Sequence, residues 1–253
     1  MSTHPAATLE LLTPEWPAPP GVRAAFTLRS GGVSAAPFDS LNLGTHVGDA
    51  ATAVAENRRR LRVRLDLPAE PAWIEQVHGT RVVDLDVLAA TAPCATADGV
   101  VSRREGLICV VQVADCLPVL LAARDGSAVA AAHAGWRGLA AGVLEATVAA
   151  LGVPPGRLLA WLGPAIGREH FEVGEEVRAA FARRDGSAAG SFTRNARGRW
   201  QCDLVALARA RLAALGITAV FGGSWCTYSD PGHFFSYRRD GQCGRMAALV
   251  WRT

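Results

Sequence analysis

The sequence predicts an α+β fold, with mixed β-sheets and flanking helices, in a single domain that spans residues 1–253. Short apolar runs of strand length recur along the chain, bounded by Gly, Pro or Asp, and helical patterns are inserted between them. Half of the residues are hydrophobic, which is ample for a core. We find no internal repeat and no long linker, so one domain of mixed sheets is the simplest arrangement.

The N-terminal quarter predicts an extended segment, a strand and a helix. The proline-rich stretch P-E-W-P-A-P-P-G, residues 14–21, predicts an extended lead-in. The stretch F-T-L-R-S-G-G-V-S, residues 26–34, predicts a strand that runs into a glycine turn. Asp49–Leu67 is predicted to be a helix capped by Asp49 or Thr52, with its run of arginines facing solvent.

The centre of the chain is rich in predicted strands. An Asp-Gly turn joins the last two of them, which predicts a hairpin. The predicted strands are Ala72–Val77, Arg81–Asp86, Leu107–Val113, Pro118–Ala123 and Ala128–His133. A helix is expected next at Leu139–Leu151, closed by Gly152.

The C-terminal part alternates strands and helices and is predicted to end in a hairpin. Asp203 precedes an apolar pattern of helical spacing and is the expected cap of that helix. The other expected elements are a strand at Leu158–Leu162, a helix at Val173–Arg184, a strand at Ile217–Phe221, and a hairpin of Phe234–Arg238 with Met246–Trp251.

Composition excludes some chemistry and some partners. The chain contains no lysine, and all 26 basic residues are arginine. Schiff-base catalysis and a phosphate-binding P-loop lysine are therefore excluded, so a bound phosphate must be held by arginine, backbone N–H groups or a metal. The net charge of +3 is not organised into a patch that indicates nucleic acid. No secretory signal or membrane-length apolar run is visible, and we expect a cytoplasmic protein.

Three residues stand in contexts that favour a functional site. They are His78 in Q-V-H-G-T, Cys116 in V-A-D-C-L-P and His133 in A-A-H-A-G-W-R-G. Each lies at the predicted end of a strand, where Gly or Pro follows closely. Two imidazoles and a thiolate are a ligand set with which a catalytic zinc keeps a fourth position open for water. The same residues could instead form a Cys–His nucleophilic pair, with Cys116 as the nucleophile and His133 as the base.

Copper is less favoured than zinc. Two histidines and a cysteine also describe a blue-copper site, but the weak axial ligand is usually a methionine. The chain has only Met1 and Met246, and neither lies in a suggestive motif. A multinuclear copper oxidase needs more histidines than the six present, which are His4, His46, His78, His133, His170 and His233.

Several motifs together resemble the bacterial laccase-domain family, also called the polyphenol oxidase or peptidoglycan editing factor family. They are Q-V-H-G-T, A-D-G-V-V-S, V-A-D-C-L-P-V-L-L, A-A-A-H-A-G-W-R-G, L-G-P-A-I-G and F-F-S-Y-R-R-D-G-Q-C-G-R. They run in the family's order from about Phe26 to Trp251. The resemblance implies a mixed α/β fold similar to the catalytic domain of a deamidating bacterial toxin.

The resemblance also implies an activity and its ligands. Family members cleave adenosine, inosine and methylthioadenosine with phosphate and deaminate adenosine with water, using zinc held at the positions of His78, Cys116 and His133. Purine nucleosides and phosphate are thus the expected partners. A Cys–His hydrolase or deamidase, and a non-catalytic cell-wall editing factor, stay open as alternatives.

Further residues are candidates for binding substrate or moving protons. Because lysine is absent, arginines in motif contexts are the candidates for phosphate, and two residues of L-N-L-G-T-H are candidates for ribose or base. The substrate-binding candidates are Arg29, Asn42, His46, Arg58, Arg137 and Arg238. Asp115 and Glu75 are candidate general acids or bases, and Phe235 and Tyr237 could stack on a purine or belong to the core.

Overall fold

The computed structural model describes residues 9–88, 94–183 and 186–253. Within these ranges the strands are β1 Leu11–Leu12, β2 Val22–Thr27, β3 Val82–Asp84, β4 Gly99–Ser102, β5 Ile108–Val113, β6 Leu117–Ala123, β7 Val129–Ala134, β8 Leu158–Leu162, β9 Glu172–Val173, β10 Phe192–Arg194, β11 Trp200–Cys202, β12 Val220–Gly222 and β13 Met246–Arg252. The α-helices are α1 Ala51–Leu65, α2 Trp136–Ala141, α3 Val143–Leu151, α4 Glu175–Ala182, α5 Leu204–Ala214 and α6 Tyr237–Asp240. Short 3₁₀ helices cover Pro155–Arg157 and Gly186–Ser191.

The described strands form three sheets. A six-stranded sheet has the order β12-β8-β6-β7-β4-β3, and a four-stranded sheet has the order β1-β2-β13-β5. A small three-stranded sheet has the order β10-β11-β9. The six-stranded sheet is mixed, because β12 and β3 pair in parallel with their neighbours while its other pairs are antiparallel. The predicted α+β class with mixed sheets is confirmed.

The continuous apolar runs are strands that are covered on both faces. Alternate residues of β5 divide between two clusters: Val111 packs between the two larger sheets, and Val110 packs under α1. In β6, Leu120 packs between the sheets, whereas Leu121 packs against α3 and α5 on the other side. Burial on both faces explains why these strands lack the alternation of apolar and polar residues that a solvent-facing sheet shows.

The predicted C-terminal hairpin is wrong. Strand β13 does form, but it lies between β2 and β5 and pairs with both. The segment before it contains the buried Phe234 and Phe235 and then the short helix α6. Pairing with two distant strands buries both faces of β13, which a local hairpin would leave half exposed.

Two helix predictions also need correction. The helix predicted at Leu139–Leu151 is two helices, because Gly142 adopts a φ of 108°, which ends α2 and begins α3. Helix α1 is capped by neither Asp49 nor Thr52: Ala50 occupies the cap position and makes no side-chain cap bond. Asp203, in contrast, caps α5 as predicted, because its side chain accepts the N–H of Ala206.

None of the described helices is long and apolar enough to cross a membrane. The predicted likeness to a toxin domain and the single-domain boundary of 1–253 stay predictions, and so does the cytoplasmic location.

Candidate metal centre

The β6–β7 hairpin brings Cys116 and His133 together. In its register Pro118 pairs with His133, so Cys116, directly before β6, lies beside the end of β7. The backbone N–H of His133 donates to the carbonyl oxygen of Asp98, the last residue before β4, at 2.8 Å. Sheet pairing therefore places Asp98, Cys116 and His133 together at one end of the adjacent interior strands β4, β6 and β7.

The carboxylate of Asp98 holds both histidines in place. Its Oδ1 accepts from Nδ1 of His133 at 2.8 Å and from the backbone N–H of His78 at 2.9 Å. Its Oδ2 accepts the N–H groups of Gly79 at 2.6 Å and Val77 at 3.2 Å. An ionised carboxylate only accepts, so Nδ1 of His133 carries a hydrogen, and Nε2 is the nitrogen that a metal ion could bind once it is deprotonated.

The three side chains converge on one point. Sγ of Cys116 lies 3.6 Å from Nε2 of His78, and the ligand atoms of His78, Cys116 and His133 all lie within 4.8 Å of one another. Ordinary bond lengths to a tetrahedral zinc separate a sulfur and a nitrogen ligand by about 3.6 Å. Among the described residues, no other group of three His, Cys, Asp or Glu side chains comes this close. This group could bind a metal ion.

The charges at the site favour a thiolate. Burial opposes ionisation of Cys116, but the positive charge and hydrogen bond of His133 and the hydrogen bond of His78 outweigh it and lower the thiol pKa. Burial acts to lower the pKa of His133, but the negative charge of Cys116 and the hydrogen bond to Asp98 raise it. A bound cation would take the place of the imidazolium proton, because metal ligands must be deprotonated.

Asp115 fixes the backbone that presents Cys116. It adopts a φ of 90°, which costs a non-glycine residue energy unless its surroundings hold it there. Its Oδ1 accepts the hydroxyl of Thr227 and its Oδ2 accepts the backbone N–H of Arg238, both at 2.6 Å. Glu75, the other candidate acid or base, does not line the cavity at the site, and its carboxylate accepts the hydroxyl of Thr96. The proton-transfer roles of Asp115 and Glu75 stay predictions.

Gly135 is required for the close packing of the ligands. A Cβ atom at this position would lie 2.7 Å from Cδ2 of His78 and 3.0 Å from Sγ of Cys116. The backbone of Gly135, at φ −61° and ψ 155°, is open to any residue, so only the steric clash matters. We expect Gly135→Ala to cost about 1–3 kcal/mol of metal-binding free energy by displacing these ligands, as overpacking does in a core. Competition with a chromophoric chelator measures this loss.

Gly156→Ala is the matched control for that substitution. A Cβ at Gly156 meets no atom within 4 Å, and the residue lies in a 3₁₀ helix outside the site. This control is expected to bind metal as the wild type does. Wild-type metal affinity in Gly135→Ala would contradict the packing argument.

The three ligands open onto a cavity of about 550 Å³. Its walls are aromatic, polar and cationic. The lining residues are His46, Gln76, His78, Gln112, Val113, Ala114, Asp115, Cys116, His133, Trp136, Arg137, Ile166, Phe171, Leu204, Tyr237, Arg238 and Arg245. The size suits a small ligand, and aromatic walls with a few polar groups are typical of binding sites for such molecules.

Half of the substrate-binding candidates from the sequence line this cavity. His46, Arg137 and Arg238 do, and all three side chains are exposed. The guanidinium of Arg137 lies over the ring of Trp136 at 4.5 Å. Nη1 of Arg238 donates to the carbonyl oxygen of Glu172.

Arg29, Asn42 and Arg58 are not among the lining residues, and each makes contacts that hold the chain together. Arg29 donates to the carbonyl oxygens of Asp39 and Pro231. The buried Asn42 amide bonds within its own loop and to the backbone N–H of Arg245. Arg58 donates twice to the carbonyl oxygen of Leu43 and stacks on Trp73 at 4.0 Å. Their roles in substrate binding stay predictions, and none of the three lines this cavity.

Of the two candidate stacking residues, Phe235 is buried and Tyr237 lines the cavity.

Sequence reasoning missed four polar residues at or beside the site. Asp98 had a signal, because it lies in the motif A-D-G-V-V-S, but nothing local connects it to His133. Arg245 lies two residues past the Q-C in D-G-Q-C-G-R and lines the cavity. Gln76 and Gln112 were also missed; their pairing, in which Gln76 bonds both backbone groups of Gln112, is a tertiary contact.

Comparison with known proteins shows the family. Residues 23–253 match the family described as multi-copper polyphenol oxidoreductase laccase. The chain belongs to this laccase-domain family. It is 56% identical over 241 residues to purine nucleoside phosphorylase PA4543 of Pseudomonas aeruginosa, covering 95% of this chain and 97% of that protein. It is 51% identical over 245 residues to purine nucleoside phosphorylase YfiH of Escherichia coli (strain K12), covering 96% and 98%.

Solved structures of the laccase-domain family share the fold. The crystal structure of Neisseria meningitidis protein NMB0706 superposes with a TM-score of 0.92 at 48% identity, covering 96% of this chain and 98% of that one. YlmD from Geobacillus stearothermophilus superposes with a TM-score of 0.89 at 30% identity, covering 97% and 98%. The predicted family resemblance is confirmed.

Proposed function

We propose that the protein is a zinc-dependent purine nucleoside phosphorylase that acts on adenosine, inosine and methylthioadenosine and also deaminates adenosine. The observation that carries this proposal is the convergence of His78, Cys116 and His133 at the end of a cavity lined by arginine and aromatic side chains. The names of the P. aeruginosa and E. coli relatives support the phosphorylase reaction.

The donor set fits zinc. One thiolate and two imidazoles are three ligands, which leaves a fourth position open to the cavity. Asp98 supports the fit, because it fixes the tautomer that leaves Nε2 of His133 available. Copper with a methionine ligand has less support: Met246 is fully buried in β13 and does not line the cavity, and Met1 lies outside the described residues.

When bound, zinc supplies a Lewis acid at this point of the cavity. The residues around it would hold the ion, the purine and the phosphate. Cys116 and the histidines would hold the ion, and Asp115 would fix the backbone that carries Cys116. The rings of Phe171 and Tyr237, in the cavity wall, would bind the faces of a purine. Cavity arginines would hold phosphate, since the chain has no lysine for this task.

The two proposed reactions differ in the nucleophile. Phosphorolysis joins phosphate to C1 of the ribose and releases the free base. Deamination adds water at the six-position of adenine and releases ammonia. Both reactions would use the metal centre, and phosphorolysis would need arginine in addition to hold the phosphate. A cavity lined by both is therefore consistent with one protein performing the two reactions.

A Cys–His hydrolase or deamidase is the second candidate, because Cys116, His133 and Asp98 also form a chain of nucleophile, base and orienting carboxylate. This reading assigns no task to His78, although its Nε2 lies 3.6 Å from the sulfur. It predicts that iodoacetamide alkylates Cys116 whether or not metal is present. With zinc bound, we expect alkylation only after the metal is removed.

Metal analysis together with a product-resolved assay tests the proposal. We expect close to one equivalent of zinc in the purified protein, and adenosine with phosphate should yield both adenine and inosine. Exhaustive chelation should abolish both products, and added zinc should restore them. Full turnover after verified metal removal would contradict zinc dependence. Absence of turnover in the metal-loaded protein would favour a non-catalytic cell-wall role.

A further inference from the structure

The cavity at the metal centre carries an excess of positive charge. Three of its lining side chains are guanidinium groups: Arg137, Arg238 and Arg245. Its lining includes one carboxylate, Asp115, and both oxygens of that group are already bonded, one to Thr227 and the other to the N–H of Arg238. The cavity therefore attracts an anion, and the proposed reaction supplies one in phosphate.

Arg245 differs from the other two arginines because its position is fixed on several sides. Its Nη1 donates to the carbonyl oxygens of Cys243 at 2.9 Å and Gly244 at 3.1 Å. Its side chain packs over Gly44, where a Cβ would lie 2.8 Å from Cγ of Arg245. The backbone N–H of Arg245 donates to Oδ1 of Asn42. Arg245 is half-buried, whereas Arg137 and Arg238 are exposed.

These contacts use one end of the guanidinium and leave the other end open. The carbonyl oxygens bind Nη1, and no described residue bonds Nε or Nη2 of Arg245. The edge formed by Nε and Nη2 presents two parallel N–H groups, which is the geometry that binds a phosphate oxygen pair. A guanidinium already fixed in place loses little side-chain entropy when it binds, so it binds an anion more tightly than a mobile one.

We infer that Arg245 is the residue that binds the phosphate co-substrate, through its Nε–Nη2 edge, with the exposed Arg137 as a second partner. This inference rests on the proposed phosphorylase activity. The segment Asn42–His46 supports it by position, because it holds Arg245 through Asn42 and Gly44 and places His46 in the same cavity. Asn42 thereby acts on the site through Arg245 and need not touch the substrate.

The pKa of His46 reports the same positive environment. Burial lowers it, and the charges of Arg245, Arg58 and His133 lower it further. The lowered pKa favours the neutral imidazole, which can donate or accept a hydrogen bond to a ligand.

Steady-state kinetics of Arg245→Met test the inference. With inosine as substrate, the KM for phosphate should rise about tenfold to a hundredfold, the range for losing hydrogen bonds to a charged group. Adenosine deamination without phosphate should stay within about twofold of the wild type, since water replaces phosphate in that reaction. Arg245→Lys keeps the charge but lacks the paired N–H groups, so its KM should rise by a smaller factor. Arg62→Met, an exposed arginine of α1 outside the cavity, is the matched control.

The outcomes separate this inference from the proposed function. An unchanged KM for phosphate in Arg245→Met, or an equal loss of deamination, overturns the inference and leaves the phosphorylase activity standing. If Arg245→Met does not fold, Arg245→Lys decides by the same criterion. If the wild type cleaves no nucleoside, the proposed function fails. Calorimetric titration of inorganic phosphate then decides: weaker binding by Arg245→Lys than by the wild type supports the site, and equal binding overturns it.

Discussion

The His78→Ala protein is expected to lose its bound metal and at least ~100-fold of its nucleoside turnover. Removing a residue that only hydrogen-bonds to a metal ligand costs less than this. His78 would supply one of the three proposed ligands, and two protein ligands do not hold zinc in a catalytic site. The side chain is exposed, and among the residues that the structure describes its only hydrogen-bond partner is Sγ of Cys116, so the fold should survive its removal. Zinc content, turnover and thermal unfolding are the measurements.

His78→Ala distinguishes a metal centre from a Cys–His nucleophilic site better than Cys116→Ala does. Both readings need Cys116, whereas only the metal centre needs His78. His233→Ala is the matched control, because that exposed histidine is bonded to Asp230 and does not line the cavity. A His78→Ala protein that keeps its activity would refute the metal centre and favour Cys116 as a nucleophile.

Asp98→Asn is expected to lower metal affinity by about tenfold to a hundredfold, as loss of a ligand-orienting carboxylate does. An amide has one accepting oxygen, but four N–H groups point at the Asp98 carboxylate. At least one buried donor loses its partner, which adds about 1–3 kcal/mol of destabilisation. Metal titration and denaturant unfolding measure the two effects separately.

Asp86→Asn provides the control for Asp98→Asn. Asp86 likewise accepts several bonds, from the hydroxyl of Ser102 and from Arg103, and lies outside the cavity. Its replacement should reduce stability without changing metal affinity. If Asp98→Asn lowers only stability, Asp98 is a fold residue and does not tune the metal ligand.

The Asp98 carboxyl also predicts a pH dependence in metal-free protein. Burial opposes its ionisation, but hydrogen bonds from His133, Gly79 and Val77 more than compensate and lower its pKa. Because the pKa of Asp98 is lowered in the folded state, the ionised carboxylate stabilises the fold at pH values above its unfolded-state pKa of about 3.9. This stabilisation is lost as the pH falls through the pKa of the folded state. The stability difference between wild type and Asp98→Asn should therefore shrink in acid. It should also shrink as the pH rises from 6.5 through about 9, because Asp98 helps to raise the pKa of His133 in the folded state.

The sequence alone predicted four of the five proposed central strands and brought forward three candidate ligands. Ala72–Val77 was predicted wrongly, because only an isolated bridge at Glu75 forms there, and β4 was not predicted. Runs such as Leu107–Val113 are apolar throughout, and such runs form strands wherever both faces are covered. The candidate ligands His78, Cys116 and His133 could be named because glycine or proline lies close to each of them in the sequence. Gly135 shows why: its hydrogen side chain is what the packed ligands require. The absence of lysine in turn pointed to arginine for phosphate.

Tertiary structure decided which of those residues meet and what supports them. Strand β13 pairs with β2 and β5, more than a hundred residues away in the chain, so no local pattern could distinguish it from a hairpin strand. The bond from Asp98 to His133 and the open edge of Arg245 likewise depend on sheet register and on distant loops. Local patterns report the conformation of a segment and the chemistry of a side chain, but long-range pairing sets the distances between side chains, and those distances make a site.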